Sequence, residues 1–219
     1  SGPYLFSKEG YTSKVSQIEA GQFITVLLDP ETENLGEIII RTSNFQTRLK
    51  TYDGAISVIP AKVINQYNAV SLAPVLNTTS GVFMQNGTLN TNKITIRGIG
   101  SRTVFGTSKI RAYYQDIPLT NGSGESTVED IEMKALGSME ISKGPSSSRY
   151  GAGLGGTIQL IPDSGSFGDK SLQGGLLFGS FGLQKYWLQT SLGNQNNSAN
   201  LLYSDTHSDG YRQNNEFDR

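Results

Sequence analysis

The sequence has no cysteine and only one histidine, His207, among its 219 residues. Without cysteine there is no disulfide framework and no thiolate metal site. The histidine lies in a polar stretch near Asp205 and Asp209, where a solvated turn is favoured over a metal site. A histidine-based zinc site and a Ser-His-Asp triad are not expected, and we predict neither catalytic residues nor a cofactor.

Charge and long apolar runs are scarce as well. Charged residues make up 17% of the chain and nearly cancel, at a net charge of −1. A nucleic-acid partner is not expected, because it requires a clustered basic face. No apolar run approaches the roughly 18 residues of a membrane-spanning helix. Glycine, in contrast, is abundant at 26 residues, above an average of about 7%, and favours strands joined by tight turns.

Glycine is concentrated in residues 151–156, GAGLGG, between two strand-like runs. The letters match the G-x-G-x-x-G of dinucleotide-binding proteins, but that site needs a helix directly after the glycines. Here the β-branched run Thr157 to Ile161 follows, and the Gly-Lys-Ser/Thr ending of a phosphate-binding loop is missing. A nucleotide-dependent enzyme is therefore disfavoured. We expect these glycines to adopt positive φ and to let backbones approach closely.

The first 48 residues form two regions. Residues 1–34 contain the strand-like run Phe23 to Leu28, which is too little to bury a core alone, and we interpret them as the end of a β-sandwich. Residues 35–48 hold the β-branched run Glu37 to Arg41. This run is either an ordinary edge strand or an extended peptide offered to the sheet edge of a partner.

Residues 49–162 predict a compact α+β domain, a small mixed β-sheet with short helices. Strands are expected at 56–59, 82–84, 93–97 and 110–114, and short helices within 61–76. Val128 to Leu136 is predicted to form another short helix, with Thr127 as its N-cap. Four carboxylates lie there: Glu125, Glu129, Asp130 and Glu132. Their spacing specifies no catalytic pair, and acids in a first helical turn are favourable to the helix dipole.

Residues 163–219 contain three alternating runs: Leu172 to Phe178, Gln184 to Gly193 and Ala199 to Ser204. Their lengths approach the roughly 9–11 residues of a membrane β-strand, although a soluble β-meander has the same local pattern. The final stretch, Ser204 to Arg219, is predicted to be a polar loop without a further strand.

Four elements resemble, in order and spacing, the plug domain of TonB-dependent outer-membrane receptors. They are KITIRGIG at Lys93 to Gly100, YYQDIPL at Tyr113 to Leu119, the stretch Asp130 to Pro145 that ends in ISKGP, and Ser146 to Ile161. The resemblance covers residues 49–162. It implies that residues 163–219 are the first strands of a transmembrane antiparallel β-barrel, which has roughly 22 strands in such transporters and surrounds the plug.

The resemblance extends towards the N-terminus. Residues 1–34 resemble the end of the carboxypeptidase-regulatory-like β-sandwich that precedes the plug in many Bacteroidota receptors. Residues 35–42, LGEIIIRT, are similar to the segment that follows it and is identified as the Ton box. In the family, the C-terminal domain of TonB pairs with this box as an added strand. This implies a TonB contact at four positions: Glu37, Ile38, Ile39 and Ile40.

By position, the outward loops of the plug are Gly98 to Thr107 and Thr120 to Ser126. The residues expected to contact the solute are Arg102, Thr103, Phe105 and Ser123. In the family the arginine after the strand, here Arg97, is paired with glutamates of the barrel. The resemblance thus implies a plug-barrel lock at Arg97, and an ion pair within the plug is the alternative for this side chain.

The resemblance implies a receptor in the outer membrane of a Gram-negative bacterium, with the plug and the N-terminal part facing the periplasm. The signature is closer to iron-chelate receptors than to glycan importers, which predicts uptake of a ferric siderophore or other iron chelate, with cobalamin as the alternative. Three strands cannot close a barrel, and an open edge is not tolerated in hydrocarbon. We therefore expect either a segment of a longer receptor in outer-membrane lipid, or a stand-alone stopper that seals another large outer-membrane barrel.

Overall fold

The computed structural model describes most of the chain. The described residues are 2–6, 14–18, 21, 26–27, 39–42, 45–48, 54–67, 70–88, 91–102, 106–145, 151, 153–163, 170–194 and 197–219. The chain divides into two compact units, Ser1–Ile38 and Ile39–Arg219.

In the first unit, strands β1 (Gly2–Phe6) and β2 (Lys14–Ile18) pair antiparallel, with Gly2 opposite Ile18. The predicted strand at Phe23 to Leu28 lies outside the described residues, apart from Val26 and Leu27, which belong to no strand. The assignment of residues 1–34 to a β-sandwich stays a prediction.

The second unit contains the predicted α+β domain, and its elements follow in chain order. They are β3 (Ile39–Thr42), β4 (Phe45–Arg48), β5 (Ile56–Pro60), α1 (Ala61–Ile64), α2 (Ala73–Leu76), β6 (Val82–Thr88), β7 (Thr91–Ile96), β8 (Ile110–Tyr114), β9 (Ile117–Pro118), β10 (Leu136–Lys143) and β11 (Gly156–Pro162). Five of the strands form a mixed sheet in the order β5-β10-β11-β8-β9, in which β11 runs parallel to β8. The strands β3 and β4 form one hairpin, and β6 and β7 form another.

The core lies between this sheet, helix α2 and the β6–β7 hairpin. Met139 and Ile141 of β10 alternate with polar neighbours and are fully buried, as are Val75 of α2 and Ile96 of β7. Burial of one such aliphatic side chain contributes about 1.5–3 kcal/mol. The sheet with its few short helices confirms the predicted fold class, including the proline, Pro74, in the first turn of α2. Within the described residues, no helix is long and apolar enough to span a membrane.

The helix predicted for Val128 to Leu136 is wrong. Only Met133–Ala135 form a single 3-10 turn, and the flanking residues Glu132 and Leu136 are already extended, with ψ of 123° and 125°. Only the end of the segment joins the sheet: Leu136 lies opposite Pro162, and the Asp163 N–H donates to the carbonyl of Ala135 at 2.7 Å. The predicted helical spacing arose because Val128, Met133 and Leu136 are each buried in the same core.

A second sheet follows the α+β domain. It contains β12 (Lys170–Phe178), β13 (Gln184–Gly193), β14 (Ser198–Ser208) and β15 (Phe217–Asp218), all antiparallel and in chain order. The three alternating runs are thus confirmed as strands. The predicted polar loop from Ser204 onwards is wrong, because β14 continues to Ser208 and β15 pairs with it. Polar residues occupy both faces at this end of β14, so hydropathy did not reveal the strand.

The two faces of this second sheet have opposite character. On β13 and β14 the buried residues are all polar: Lys185, Gln189, Ser191, Thr206 and Ser208. The exposed large apolar residues of β12, β13 and β14 all lie on the opposite face, among them Leu176 (74%), Leu188 (52%) and Tyr203 (61%). This is the reverse of a soluble sheet, in which the apolar face covers the core. The polar face contacts the α+β domain.

Candidate functional site

Three connections meet at one end of the five-stranded sheet, which we call the loop end. Strand β8 begins at Ile110 and β11 at Gly156, and these residues are paired; β10 ends at Lys143, opposite Gly156. The segments before β8, between β9 and β10, and between β10 and β11 therefore all reach this end.

Hydrogen bonds join the two predicted outward loops at the loop end. The Ser126 N–H donates to the carbonyl of Thr107 over 2.8 Å, and the Ser126 hydroxyl donates to the carbonyl of Ile110 over 2.8 Å. The Arg111 guanidinium donates to the carbonyl of Gly124 at 2.9 Å. The β8 strand thus holds both loops at their bases.

The glycine loop packs as predicted. At Gly155 an added Cβ would lie 3.0 Å from side-chain atoms of both Ile99 and Ile110. The Gly155 N–H donates to the carbonyl of Lys109 at 2.8 Å. At Gly153 an added Cβ would lie 2.9 Å from the carbonyl oxygen of Gly156, which confirms the predicted close backbone approach.

The predicted solute contacts are only partly described. Arg102 is exposed in the turn that follows β7, and Ser123 is exposed in the loop after β9. The Ser123 N–H donates to the Asn121 side chain at 3.0 Å, so that this loop is held by its own asparagine. Thr103 and Phe105 lie outside the described residues. Arg102 and Ser123 are both at the loop end, and their contact with a solute stays a prediction.

The loop end is rich in cations. Four basic residues lie in its described loop segments: Arg97, Arg102, Lys109 and Arg111. The described loop segments 97–102, 106–111 and 119–126 contribute one carboxylate, Glu125. Such an excess of one sign creates a positive potential that attracts anions.

Two of the predicted TonB contacts fall on described backbone. Ile39 and Ile40 lie in β3, opposite Arg48 and Thr47 of β4. Glu37 and Ile38 lie outside the described residues. The TonB contact stays a prediction.

Arg97 lies at the end of the β6–β7 hairpin, with a positive φ of 50°. Its N–H donates to the carbonyl of Gly81 at 2.7 Å, and its exposed guanidinium donates to the carbonyl of Lys143 at 3.3 Å. These contacts orient Arg97 within the α+β domain. The lock to barrel glutamates stays a prediction.

Sequence reasoning missed an ionic cluster between the two sheets. The ammonium of Lys185 lies 2.8 Å from each carboxylate oxygen of Glu132. Arg219 donates to the same carboxylate at 3.1 Å, and the Ser204 hydroxyl donates to it at 3.2 Å. Glu132 also accepts a hydrogen bond from the N–H of Lys134 at 3.3 Å and thereby caps the 3-10 turn. We call Glu132, Lys185, Ser204 and Arg219 the Glu132 cluster.

Two further charged groups border the cluster. The Lys134 ammonium lies 4.8 Å from the ring centroid of Trp187; burial lowers the pKa of Lys134, while the charge of Glu132 opposes this shift. Burial raises the pKa of Glu129, although a hydrogen bond from the Asn92 side chain opposes it. The Glu129 carbonyl accepts a hydrogen bond from Arg219 at 2.5 Å.

One sequence signal pointed to the cluster. Lys185 occupies the face of β13 opposite to the apolar residues Tyr186 and Leu188, and its side chain is 0% exposed. A buried lysine requires a carboxylate partner. The interpretation of the four carboxylates as partners of a helix dipole assigns Glu132 no ion pair.

The histidine belongs to a strand pair rather than a solvated turn. On β14, His207 forms side-chain hydrogen bonds with Asp218 of β15 at 2.5 Å and with Asp209 at 3.3 Å. Across the described ranges, no group of three or more His, Asp or Glu side chains is arranged to hold a metal ion.

Comparison with known proteins gives a family match and several relatives. The model of the TonB-dependent Receptor Plug Domain matches residues 48–157. The chain is 29% identical over 150 residues to the probable TonB-dependent siderophore receptor PiuA of Acinetobacter baumannii, which covers 67% of this chain and 18% of that protein.

Solved structures share the fold. The crystal structure of the siderophore receptor PiuA from Acinetobacter baumannii matches with a TM-score of 0.57 and 24% identity, over 77% of this chain and 23% of that one. The pyoverdine outer membrane receptor FpvA from Pseudomonas aeruginosa PAO1 matches with a TM-score of 0.62 and 19% identity, over 81% and 26%. The chain thus spans about a quarter of the length of these proteins.

Proposed function

The chain belongs to the family of TonB-dependent receptor plug domains. We propose that it forms the plug and the first strands of the barrel wall, here β12–β15, of a receptor that imports a scarce solute across the outer membrane. The plug gates the barrel, and TonB drives its movement from the periplasm. The solute is a ferric siderophore or another iron chelate.

The reversed polarity of the second sheet carries this proposal. Its buried face is polar and lies against the plug, whereas Leu176, Leu188 and Tyr203 are exposed on the other face. A wall strand of a membrane barrel has this pattern, with apolar residues towards lipid and polar residues towards the lumen. The strands β12, β13 and β14 have 9, 10 and 11 residues, in agreement with the roughly 9–11 residues that cross a membrane.

The charge of the loop end supports an anionic solute. Four cations against one carboxylate favour ligands that keep a negative charge, as many ferric chelates do. The relatives support the same class, because PiuA is named as a siderophore receptor and FpvA as a pyoverdine receptor.

The segment around β3 supports a TonB contact. TonB would add a strand to the β-branched run that continues from Glu37 and Ile38 into Ile39 and Ile40, a mode that depends mainly on backbone hydrogen bonds. Replacing Ile38 with proline removes one backbone donor and should abolish uptake while leaving solute binding intact. An Ile38→Ala variant is the matched control and should retain uptake.

Growth of a deletion strain on defined iron sources tests the proposal. We expect impaired growth on at least one ferric chelate as the sole iron source, with rescue by the intact gene. Normal growth on every ferric chelate, together with a growth defect on cobalamin, would identify cobalamin as the solute.

Purification from native outer membranes separates the receptor from the stopper. The intact mass of the untagged protein and its co-purifying partners are measured. A stable complex with a different large barrel protein would support a stand-alone stopper and contradict the wall role of β12–β15.

A further inference from the structure

We propose that the Glu132 cluster is a latch that fastens the plug to its wall strands and must open before the plug moves. This inference rests on the proposed function, since it takes the second sheet as the wall. It assigns the anchoring role to an acidic plug residue held by basic wall residues. That polarity is opposite to the lock implied for Arg97.

The geometry joins one plug carboxylate to three neighbouring strands. Lys185 lies on β13, Ser204 on β14, and Arg219 directly after β15, where its backbone pairs with Thr206 at 2.8 and 2.9 Å. Lys185 is also paired with Thr206 across the sheet. The three donors therefore project from one face of consecutive strands and converge on Glu132.

The burial of the cluster makes it a strong contact. The side chains of Lys185 and Glu132 are 0% and 13% exposed. Suppose that the carboxylate is removed while the sheets stay together. Lys185 and Arg219 then lie close to each other without the charge of Glu132, and this arrangement costs far more free energy than the loss of a surface ion pair. Separation of the sheets lets water solvate both cations instead.

The rest of the interface favours reversible separation. The buried residues of β13 and β14 are polar, so withdrawal of the plug exposes groups that water can hydrate. An apolar interface would resist such movement. The Glu132 cluster contributes two ion pairs to this polar interface.

Thr206 provides a reporter beneath the latch. It is 1% exposed, lies between Lys185 and Arg219 in the sheet, and its hydroxyl oxygen has no hydrogen-bond partner. Thr206→Cys is therefore a mild change, and it introduces the one thiol of these 219 residues; the protein with Thr206 intact supplies the background labelling. A membrane-impermeant maleimide should label this thiol only when the plug lifts away.

The experiment measures the labelling rate of Thr206→Cys in isolated outer membranes that contain the full-length protein. We expect Glu132→Gln to raise the rate at least tenfold, and Lys185→Met to raise it as well. The double variant Glu132→Gln/Lys185→Met should label more slowly than Glu132→Gln alone, because no buried ammonium is left without its carboxylate. Asp130→Asn is the matched control, an exposed acid two residues away, and should leave the rate unchanged.

Each outcome bears on a separate claim. Equal rates for Thr206→Cys with and without Glu132→Gln would overturn the latch while leaving the receptor function intact. Fast labelling of Thr206→Cys alone would mean that the plug does not sit on these strands, which contradicts the proposed wall arrangement itself. If Glu132→Gln does not accumulate in membranes, the Lys185→Met variant tests the same contact from the wall side. Complete labelling in urea confirms that every variant carries the thiol.

Discussion

Gly156 lies so close to Ser142 that a Cβ on Gly156 would be 2.2 Å from the Ser142 carbonyl oxygen. Gly156 also has a φ of +139°, a conformation that side chains rarely adopt. The first position of β11 thus requires glycine for two independent reasons. Both act in the hairpin of β10 and β11, at the centre of the five-stranded sheet.

Gly156→Ala should therefore destabilise the plug by about 3 kcal/mol or more, since backbone strain and a backbone clash add. The midpoint of thermal unfolding of the purified protein measures the effect. Gly122→Ala is the matched control, because an added Cβ there meets nothing within 4 Å. Similar unfolding midpoints for the two variants would contradict the close packing of the glycine loop.

Local pattern was sufficient for most of the plug. The alternating runs at β7 and β8 predicted these strands, because each buries one side chain in two in a single core. The resemblance that four short elements carry then implied the plug fold and its two outward loops.

Contacts distant in sequence were not predictable in the same way. Glu132 meets Lys185 and Arg219, which are 53 and 87 residues further along the chain, and no local spacing encodes such a pairing. The failed helix at Val128 to Leu136 has a related cause, since tertiary contacts override local propensity: Val128, Met133 and Leu136 are buried in the core, and Glu132 is held by Lys185 and Arg219.

Arg102→Glu should weaken binding of an anionic ferric chelate. Arg102 is exposed at the loop end, and reversal of one exposed charge changes affinity by about 2- to 10-fold at low ionic strength. Titration of the purified receptor at low and high salt measures the effect, which should shrink as salt increases. Lys62→Glu is the matched control on α1, at the opposite end of the sheet, and an equal loss of affinity there would refute a local role for Arg102.

Glu129→Gln should make the stability of the plug less dependent on pH. Burial raises the pKa of Glu129 in the folded state, so the protonated form is favoured on folding. Its contribution to stability is full below the unfolded pKa and is lost as pH rises through the folded pKa. The variant should therefore be more stable than the wild type at pH 8 and similar to it at pH 4, as measured by urea unfolding. Glu216→Gln, at an exposed site, is the control and should show no such difference.

Leu188→Arg distinguishes a membrane wall from a soluble sheet. Leu188 is 52% exposed on the apolar face of β13, and an arginine on the lipid face of a barrel costs about 2–4 kcal/mol near the bilayer midplane. The variant should reduce the folded fraction in outer membranes, as measured by the shift in gel mobility on heating. Gln173→Arg, on the other face of β12, is the matched control and should fold normally. In a soluble sheet the same exposed leucine tolerates arginine at almost no cost, so unchanged folding of Leu188→Arg would contradict the membrane role of β12–β15.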